Sequence, residues 1–171
     1  MEKRYDAIIV GGGPAGLSAA IYMARAQFHV LVIEKDTIGG QITITGEVVN
    51  YPGIPYTNGK KLTAGMHSQA ESFGAEFLTA EVTGLDLEGT YKTVHTTRGD
   101  FTAAGIIYAA GAHPRLAGFA GEEEFKGHGV AYCATCDGEF FTDKDVFVVG
   151  GGFAAVEEGG FLTRFARRLY M

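Results

Sequence analysis

The chain has 171 residues, of which 46% are hydrophobic and 20% are charged, a composition typical of folded globular proteins and unlike that of disordered or fibrous ones. Its net charge of -6 provides no basic surface, which excludes nucleic acid and anionic membranes as general partners. The apolar run at residues 7–10 is too short for a signal-peptide core or a membrane span, so we expect a cytoplasmic protein without a membrane anchor.

The first predicted unit is a strand, a glycine-rich turn and a helix. Residues 5–10 form an apolar run typical of a buried strand, and residues 17–26 have helical composition. Between them, Gly11, Gly13 and Gly16 match G-x-G-x-x-G, which allows a tight turn, close backbone approach to a pyrophosphate and close packing of helix on strand. The helix N-terminus adds hydrogen-bond donors and the positive end of the helix dipole. This order predicts a dinucleotide site.

A second strand follows the first helix and ends in an acid. It is predicted at residues 29–33 and is followed by Glu34, eighteen positions beyond Gly16. A carboxylate at this distance accepts hydrogen bonds from ribose hydroxyls and disfavours a 2'-phosphate. From these residues alone, the ligand is either FAD or NAD.

The middle of the chain predicts a helix at residues 59–74 and then a small β-meander. An apolar helical face is formed by Leu62, Met66, Ala70 and Phe73. The strands and turns of the meander are predicted at residues 76–78, 82–87, 93–97, 98–100 and 106–109. A linker is expected at residues 113–115, because the residue before a proline is disfavoured in helical geometry.

Both cysteines of the chain, Cys133 and Cys136, lie in the stretch AYCATCDG. A structural zinc site needs two pairs of Cys or His ligands, and the chain has no second cysteine pair, so no metal site is expected. The remaining interpretation is a redox-active dithiol that forms a reversible disulfide. Asp137 follows at once, and its carboxyl either moves a proton as the disulfide opens and closes or is simply a turn residue before Gly138.

A second glycine-rich unit follows the cysteines. Residues 145–149 form an apolar strand, and Gly150, Gly152 and Ala155 have G-x-G-x-x-A spacing. Two dinucleotide motifs in one chain with a Cys-x-x-Cys pair suggest two nucleotides that pass electrons to a disulfide.

Several features of the second half depart from an ideal nucleotide-binding unit. Phe153 places an aromatic ring in the glycine-rich turn, where we expect it to crowd a pyrophosphate. Gly159 and Gly160 lie inside the following helix, which is predicted to reach Arg168, and each costs about 1 kcal/mol relative to alanine. The acidic run at residues 122–124 is expected to be a solvated turn.

The chain resembles the bacterial-type, low-molecular-weight thioredoxin reductases in five stretches: GGGPAGLSAAIY (11–22), GGQITITGEVVNYPG (39–53), AAGAHPR (109–115), GHGVAYCATCDG (127–138) and VVGGGFAAVEE (148–158). The resemblance implies an α/β fold, with a three-layer FAD/NAD(P)-binding Rossmann-like domain that contains a β-meander, plus the start of a second Rossmann-like domain. It implies an FAD-binding domain at residues 1–114 and an incomplete NADPH-binding domain, which carries the cysteines, at residues 115–171. We interpret the chain as the N-terminal half of such an enzyme, truncated within the NADPH domain.

The same resemblance implies which residues bind FAD. Five positions of the first turn would bind the pyrophosphate: Gly11, Gly13, Pro14, Ala15 and Gly16. Glu34 would bind the ribose, and Val82 would contact the adenine through its backbone. The flavin side would be lined by Gly40, Gln41 and Asn50, with Ala110 and Gly111 standing where the family commonly has Thr-Gly.

The resemblance also implies a reaction and its partners. NADPH would reduce FAD, the flavin would reduce the disulfide through Cys136, and Cys133 would attack the disulfide of thioredoxin or a similar small protein. Asp137 would act as the acid and base, and the enzyme would be a homodimer. Two alternatives remain open: an FAD-binding remnant without turnover, and a related disulfide reductase with an electron donor other than NADPH.

Overall fold

The structure is a computed structural model that describes residues 4–171. The chain forms two compact units, one ending at Ala112 and one beginning at His113. Within the described residues, no helix is long and apolar enough to cross a membrane.

The first unit is built on a six-stranded mixed sheet in the order β3-β2-β1-β6-β5-β4. Its strands are β1 (Arg4–Val10), β2 (Val30–Glu34), β3 (Glu76–Thr79), β4 (Val82–Asp86), β5 (Lys92–Thr96) and β6 (Gly99–Tyr108). Strands β3, β2, β1 and β6 pair in parallel, whereas β4 and β5 pair antiparallel and extend the sheet from β6. Helix α1 (Pro14–Arg25) follows β1, and α2 (Gly59–Ser72) precedes β3.

The parallel strands have apolar side chains buried on both faces of the sheet. On one face, Ile9 and Val32 pack with Ala20 of α1 and Ala70 of α2. On the other face, side chains of β1 and β2 pack with Val94 of β5 and with β6. Burial on both faces explains why β1 and β2 are nearly continuous apolar runs instead of alternating ones. The parallel strands therefore have the helices on one face and side chains of β5 and β6 on the other, which gives three layers although β4 and β5 continue the sheet from β6.

Two details of the predicted meander are wrong. The segment predicted at residues 76–78 forms β3, which pairs in parallel with β2 and belongs to the parallel sheet. The turn predicted at 98–100 is shorter, because β6 already begins at Gly99 and runs for ten residues. The first half of β6 pairs with β5 and its second half with β1, so one strand serves both the meander and the parallel sheet.

The second unit contains the cysteines and a short βαβ segment. Helix α3 (Ala134–Asp137) is followed by β7 (Asp145–Phe147), α4 (Phe153–Leu162) and β8 (Arg168–Tyr170), and the two strands pair in parallel. Helix α4 therefore ends six residues before the predicted Arg168, because the chain must turn to enter β8.

Gly159 is the buried residue of α4, and its lack of a side chain has a packing reason. A Cβ there would lie 3.0 Å from Met171 Cε and 3.6 Å from Val148 Cγ2, so the glycine lets the helix approach the strands. A Cβ on Gly160 would meet open space, so no packing reason accounts for that glycine.

Candidate active site

The glycine-rich turn at residues 11–16 leaves no room for side chains at its first and last glycines. A Cβ on Gly11, whose φ is +110°, would lie 2.2 Å from the carbonyl oxygen of Ala109 at the end of β6. A Cβ on Gly16 would lie 1.9 Å from the carbonyl oxygen of Gly11. These contacts bring the start of α1 against the carboxyl ends of β1 and β6, the edge where open α/β sheets bind ligands.

A second pair of glycines closes this turn from the side. The N–H of Gly39 donates to the carbonyl oxygen of Gly12 over 2.8 Å. A Cβ on Gly40 would lie 3.0 Å from the Cα of Gly13. We call residues 11–16 together with Gly39 and Gly40 the glycine cradle.

The glycine cradle fits the pyrophosphate of a dinucleotide. Gly13 is the N-cap of α1 and supplies no side-chain cap, and Pro14 occupies the first turn, where its missing N–H is not needed. The backbone N–H groups at this helix N-terminus receive no hydrogen bond from the side chain of the N-cap residue, so they suit an anion.

Glu34 is held at the carboxyl end of β2, next to the cradle. Its carboxylate accepts the N–H of Gly12 over 2.7 Å and the N–H of Asp36 over 3.0 Å. Oε2 is thus held against the turn by Gly12, whereas Oε1 accepts from Asp36 after the strand. A half-exposed carboxylate in this position suits the hydroxyls of a ribose.

The other predicted FAD residues differ in how close they lie to the cradle. Ala110 is beside it, since its nitrogen would be 3.0 Å from a Cβ on Gly11. Gln41 begins a short 3₁₀ helix directly after Gly40, and Val82 begins β4. For the exposed residues Asn50 and Gly111, no contact with the cradle supports the assignment, which stays a prediction.

Cys133 and Cys136 form a disulfide, with an S–S distance of 2.06 Å and a Cα–Cα distance of 5.3 Å. Cys133 is the N-cap of α3 and is half-buried, whereas Cys136 is exposed. The N–H of Asp137 donates to the carbonyl oxygen of Cys133 over 3.0 Å, so the two cysteines and Asp137 belong to one helical turn. The described residues contain no group of three or more His, Cys, Asp or Glu side chains that could hold a metal ion.

Burial raises the pKa of the Asp137 carboxyl above its ordinary value of 3.8. The folded protein therefore holds a proton on this group at pH values where an exposed aspartate has lost it. A carboxyl that keeps its proton beside a disulfide is suited to protonating a sulfur as the S–S bond opens.

Replacing Asp137 by asparagine is expected to change how stability depends on pH. Because the pKa is raised in the folded state, wild-type stability is full below pH 3.8 and falls as pH rises through the folded pKa. An asparagine side chain carries no charge, so D137N should exceed the wild type near pH 7, by less than about 1 kcal/mol because water screens this part-exposed group. Urea unfolding of the oxidised proteins between pH 3.5 and 8 would measure this difference, with E139Q as an exposed control. Equal stability loss for D137N at every pH would contradict it.

Glu122 is a residue of this region that the sequence analysis placed wrongly. Glu123 and Glu124 are exposed, as expected for a solvated turn, but Glu122 is only 4% exposed. Its carboxylate accepts the backbone N–H groups of Ala117 and Gly118 and the hydroxyl of Tyr132. One sequence signal for this burial was available. The stretch before the acidic run is irregular and contains glycines, so its backbone N–H groups need acceptors outside a helix or sheet.

The second glycine-rich turn leads into helix α4, as expected, but the first residue of that helix is an aromatic one, Phe153. Gly150 has a φ of +151°, and its missing Cβ would lie 3.2 Å from the Cβ of Ala155. Gly152 is the N-cap of α4 without a side-chain cap. Phe153 begins the helix and is 95% exposed, so its ring stands in solvent at the predicted nucleotide turn.

The chain is similar to known proteins over nearly all of its length. The family model for pyridine nucleotide-disulphide oxidoreductases matches residues 5–171. The thioredoxin reductase of Peptoclostridium litorale is 49% identical over 170 residues, covering 99% of this chain and 54% of the relative. That of Listeria monocytogenes is 47% identical over 168 residues, covering 98% and 53%. The crystal structure of thioredoxin reductase from Streptococcus pyogenes has a TM-score of 0.92 at 42% identity, covering 99% of this chain and 55% of that one.

The match extends over nearly the whole chain in both sequence and fold. The predicted Rossmann-like α/β fold and the resemblance to thioredoxin reductases are confirmed. The chain spans about half the length of the curated relatives it matches. It belongs to the pyridine nucleotide-disulphide oxidoreductase family, and the two relatives that it matches at 49% and 47% identity are thioredoxin reductases.

Proposed function

We propose that this chain catalyses the FAD-dependent reduction of thioredoxin, or of a similar small disulfide protein, with NADPH as electron donor. The observation that carries the proposal is the Cys133–Cys136 disulfide, followed directly by the partly buried carboxyl of Asp137. The identity to thioredoxin reductases supports the assignment of the partner. A homodimer in the cytoplasm is the state in which we expect it to act.

The residues of the first unit would hold FAD. The glycine cradle would bind the pyrophosphate, and Glu34, oriented by the N–H of Gly12, would accept the ribose hydroxyls. When bound, FAD supplies a two-electron carrier between a pyridine nucleotide and a disulfide. Gly40, which belongs to the cradle, would also line the flavin side, and the remaining assignments to FAD are Gln41, Asn50, Val82, Ala110 and Gly111.

The dithiol carries the second half of the reaction. Two electrons break the S–S bond, Asp137 protonates one sulfur, and the other sulfur stays a thiolate. The Cys133 thiolate then attacks one sulfur of the partner disulfide, which forms a mixed disulfide and releases the other partner sulfur. Cys136 gives its proton back to the Asp137 carboxylate and attacks the Cys133 sulfur as a thiolate, which restores the internal disulfide and releases the second partner sulfur. The two released partner sulfurs take up protons from water, which leaves the partner as a dithiol.

The electron donor is the part of the proposal with a second candidate. Gly150, Gly152 and Ala155 would hold a pyridine nucleotide through the N-terminus of α4. The exposed ring of Phe153 at this turn favours a donor other than NADPH, such as another redox protein. A chain that binds FAD without turnover is the remaining alternative.

The test is to incubate the purified 171-residue chain with FAD, remove the excess and record the visible spectrum. A retained flavin spectrum that NADPH bleaches without oxygen, followed by reduction of thioredoxin disulfide, supports the proposal. The C133S variant is the control, since it should keep the flavin and lose thioredoxin reduction. Flavin that only another reductant bleaches favours the second candidate, and a colourless chain contradicts FAD-dependent turnover by this chain.

A further inference from the structure

Glu122 is the one charged residue that is buried among residues 4–171, with 4% of its surface exposed. A buried carboxylate is costly unless hydrogen bonds satisfy its oxygens. Here both oxygens are satisfied: Oε1 accepts the N–H of Ala117 over 2.8 Å and the Tyr132 hydroxyl over 2.9 Å, and Oε2 accepts the N–H of Gly118 over 2.6 Å. The N–H of Ala117 contributes most to holding the pKa of Glu122 below its usual range, so the group is a carboxylate at neutral pH.

The hydrogen bond from the Tyr132 hydroxyl joins Glu122 to the residue that directly precedes Cys133. Tyr132 is half-buried, and Lys126 lies over its ring at 5.6 Å. Burial and the hydrogen bond to Glu122 raise the pKa of the Tyr132 phenol, which keeps it a donor. The next residue, Cys133, is the N-cap of α3 and one half of the disulfide.

The backbone around this contact has little regular secondary structure, and next to Cys133 the N–H of Ala134 donates to the Glu158 carboxylate over 3.3 Å. Residues 111–119 have no helix or strand. Tyr132 is joined to the acidic turn by its side chain, and Val130 by backbone hydrogen bonds to Phe125 and Gly127. Glu122 therefore connects the irregular stretch at Ala117 and Gly118 with the chain that enters Cys133.

We propose that Glu122 is a positioning residue for the redox dithiol, acting through the Tyr132 hydroxyl to fix the backbone at Cys133 and so to stabilise the disulfide. This rests on the proposed function only in that the dithiol is taken as the redox centre. Disulfide formation depends on the effective concentration of one thiol at the other. Loosening the chain at Cys133 lowers that concentration and favours the dithiol.

The experiment measures the dithiol–disulfide equilibrium of the chain in dithiothreitol buffers, without flavin or thioredoxin. The dithiol of the protein and oxidised dithiothreitol exchange to the protein disulfide and reduced dithiothreitol, so two electrons and two protons move between them. Alkylation of free thiols followed by intact mass gives the two populations. We expect Y132F and E122Q each to lower the formation constant of the disulfide about three- to tenfold.

Matched variants separate positioning from general loss of structure. E124Q removes an exposed neighbouring carboxylate, and Y170F removes a hydroxyl from a ring that stacks on Phe147, so both should leave the equilibrium unchanged. The double variant E122Q/Y132F should shift it no more than the larger single variant, because both changes remove the same hydrogen bond.

The decisive variant is Y132F, which removes only the hydroxyl. An unchanged equilibrium for Y132F, in a protein with wild-type circular dichroism, overturns the inference even if E122Q fails to fold. A wild-type chain that forms no reversible disulfide in these buffers overturns the proposed function itself, so the two failures are distinct.

Discussion

Replacing Cys136 by serine is expected to leave the chain covalently trapped on a thioredoxin through Cys133, whereas replacing Cys133 is expected to leave nothing to trap. The Cys133 thiolate forms the mixed disulfide, and in C136S no second thiol remains to attack the Cys133 sulfur and release the partner. Each serine variant should lose disulfide turnover by at least about a thousandfold, since the two sulfurs act as a unit.

The measurement uses a thioredoxin with a single active-site cysteine, activated as a mixed disulfide with thionitrobenzoate. Attack by Cys133 on the thioredoxin sulfur releases coloured thionitrobenzoate and gives a complex whose intact mass is the sum of the two proteins. The opposite result is also conceivable on structural grounds, because Cys136 is the more exposed cysteine in the disulfide form and could be the one that attacks the partner. A complex with C133S and none with C136S would exchange the two roles, and full turnover by either variant would remove the dithiol from the mechanism.

The first βα unit is the part of the fold that local pattern predicts best. An apolar run of strand length, a turn that requires Gly11 and Gly16, and an acid at Glu34 are all signals of the same unit. The structure brings the turn and Glu34 together at the carboxyl ends of β1 and β2. The cysteine pair is similar, because two thiols separated by two residues meet within one turn whatever surrounds them.

The features that local sequence patterns did not predict depend on contacts with distant parts of the chain. Residues 76–79 have strand composition, but only pairing with β2 decides that they join the parallel sheet. Gly159 looks like a poor helix residue until Val148 and Leu169 are seen packed against it. Glu122 resembles its exposed neighbours in sequence, and its burial is set by donors from Ala117, Gly118 and Tyr132. No property of residues 122–124 alone distinguishes the three.

Replacing Gly16 by alanine is expected to abolish FAD retention and to destabilise the first unit by about 3 kcal/mol. The added Cβ would lie 1.9 Å from the carbonyl oxygen of Gly11 and 3.3 Å from Ile9 Cγ2. The nearest atom belongs to backbone and cannot rotate away, so α1 must move off β1. That movement carries the N–H groups of the helix start away from the pyrophosphate position in the glycine cradle.

Gly65 provides the matched control, because it is also a helical glycine but a Cβ there meets open space. G65A should be as stable as the wild type or more stable by up to about 1 kcal/mol, and should keep FAD. Urea unfolding of all three proteins with and without FAD separates the two expected losses. The wild type and G65A should gain stability from FAD by binding linkage, whereas G16A should not. If G16A unfolded at the wild-type urea concentration and gained the same stability from FAD, then the close approach of α1 to β1 would not be what forms the binding site, and the cofactor would have to be held by the Glu34 side of the cradle.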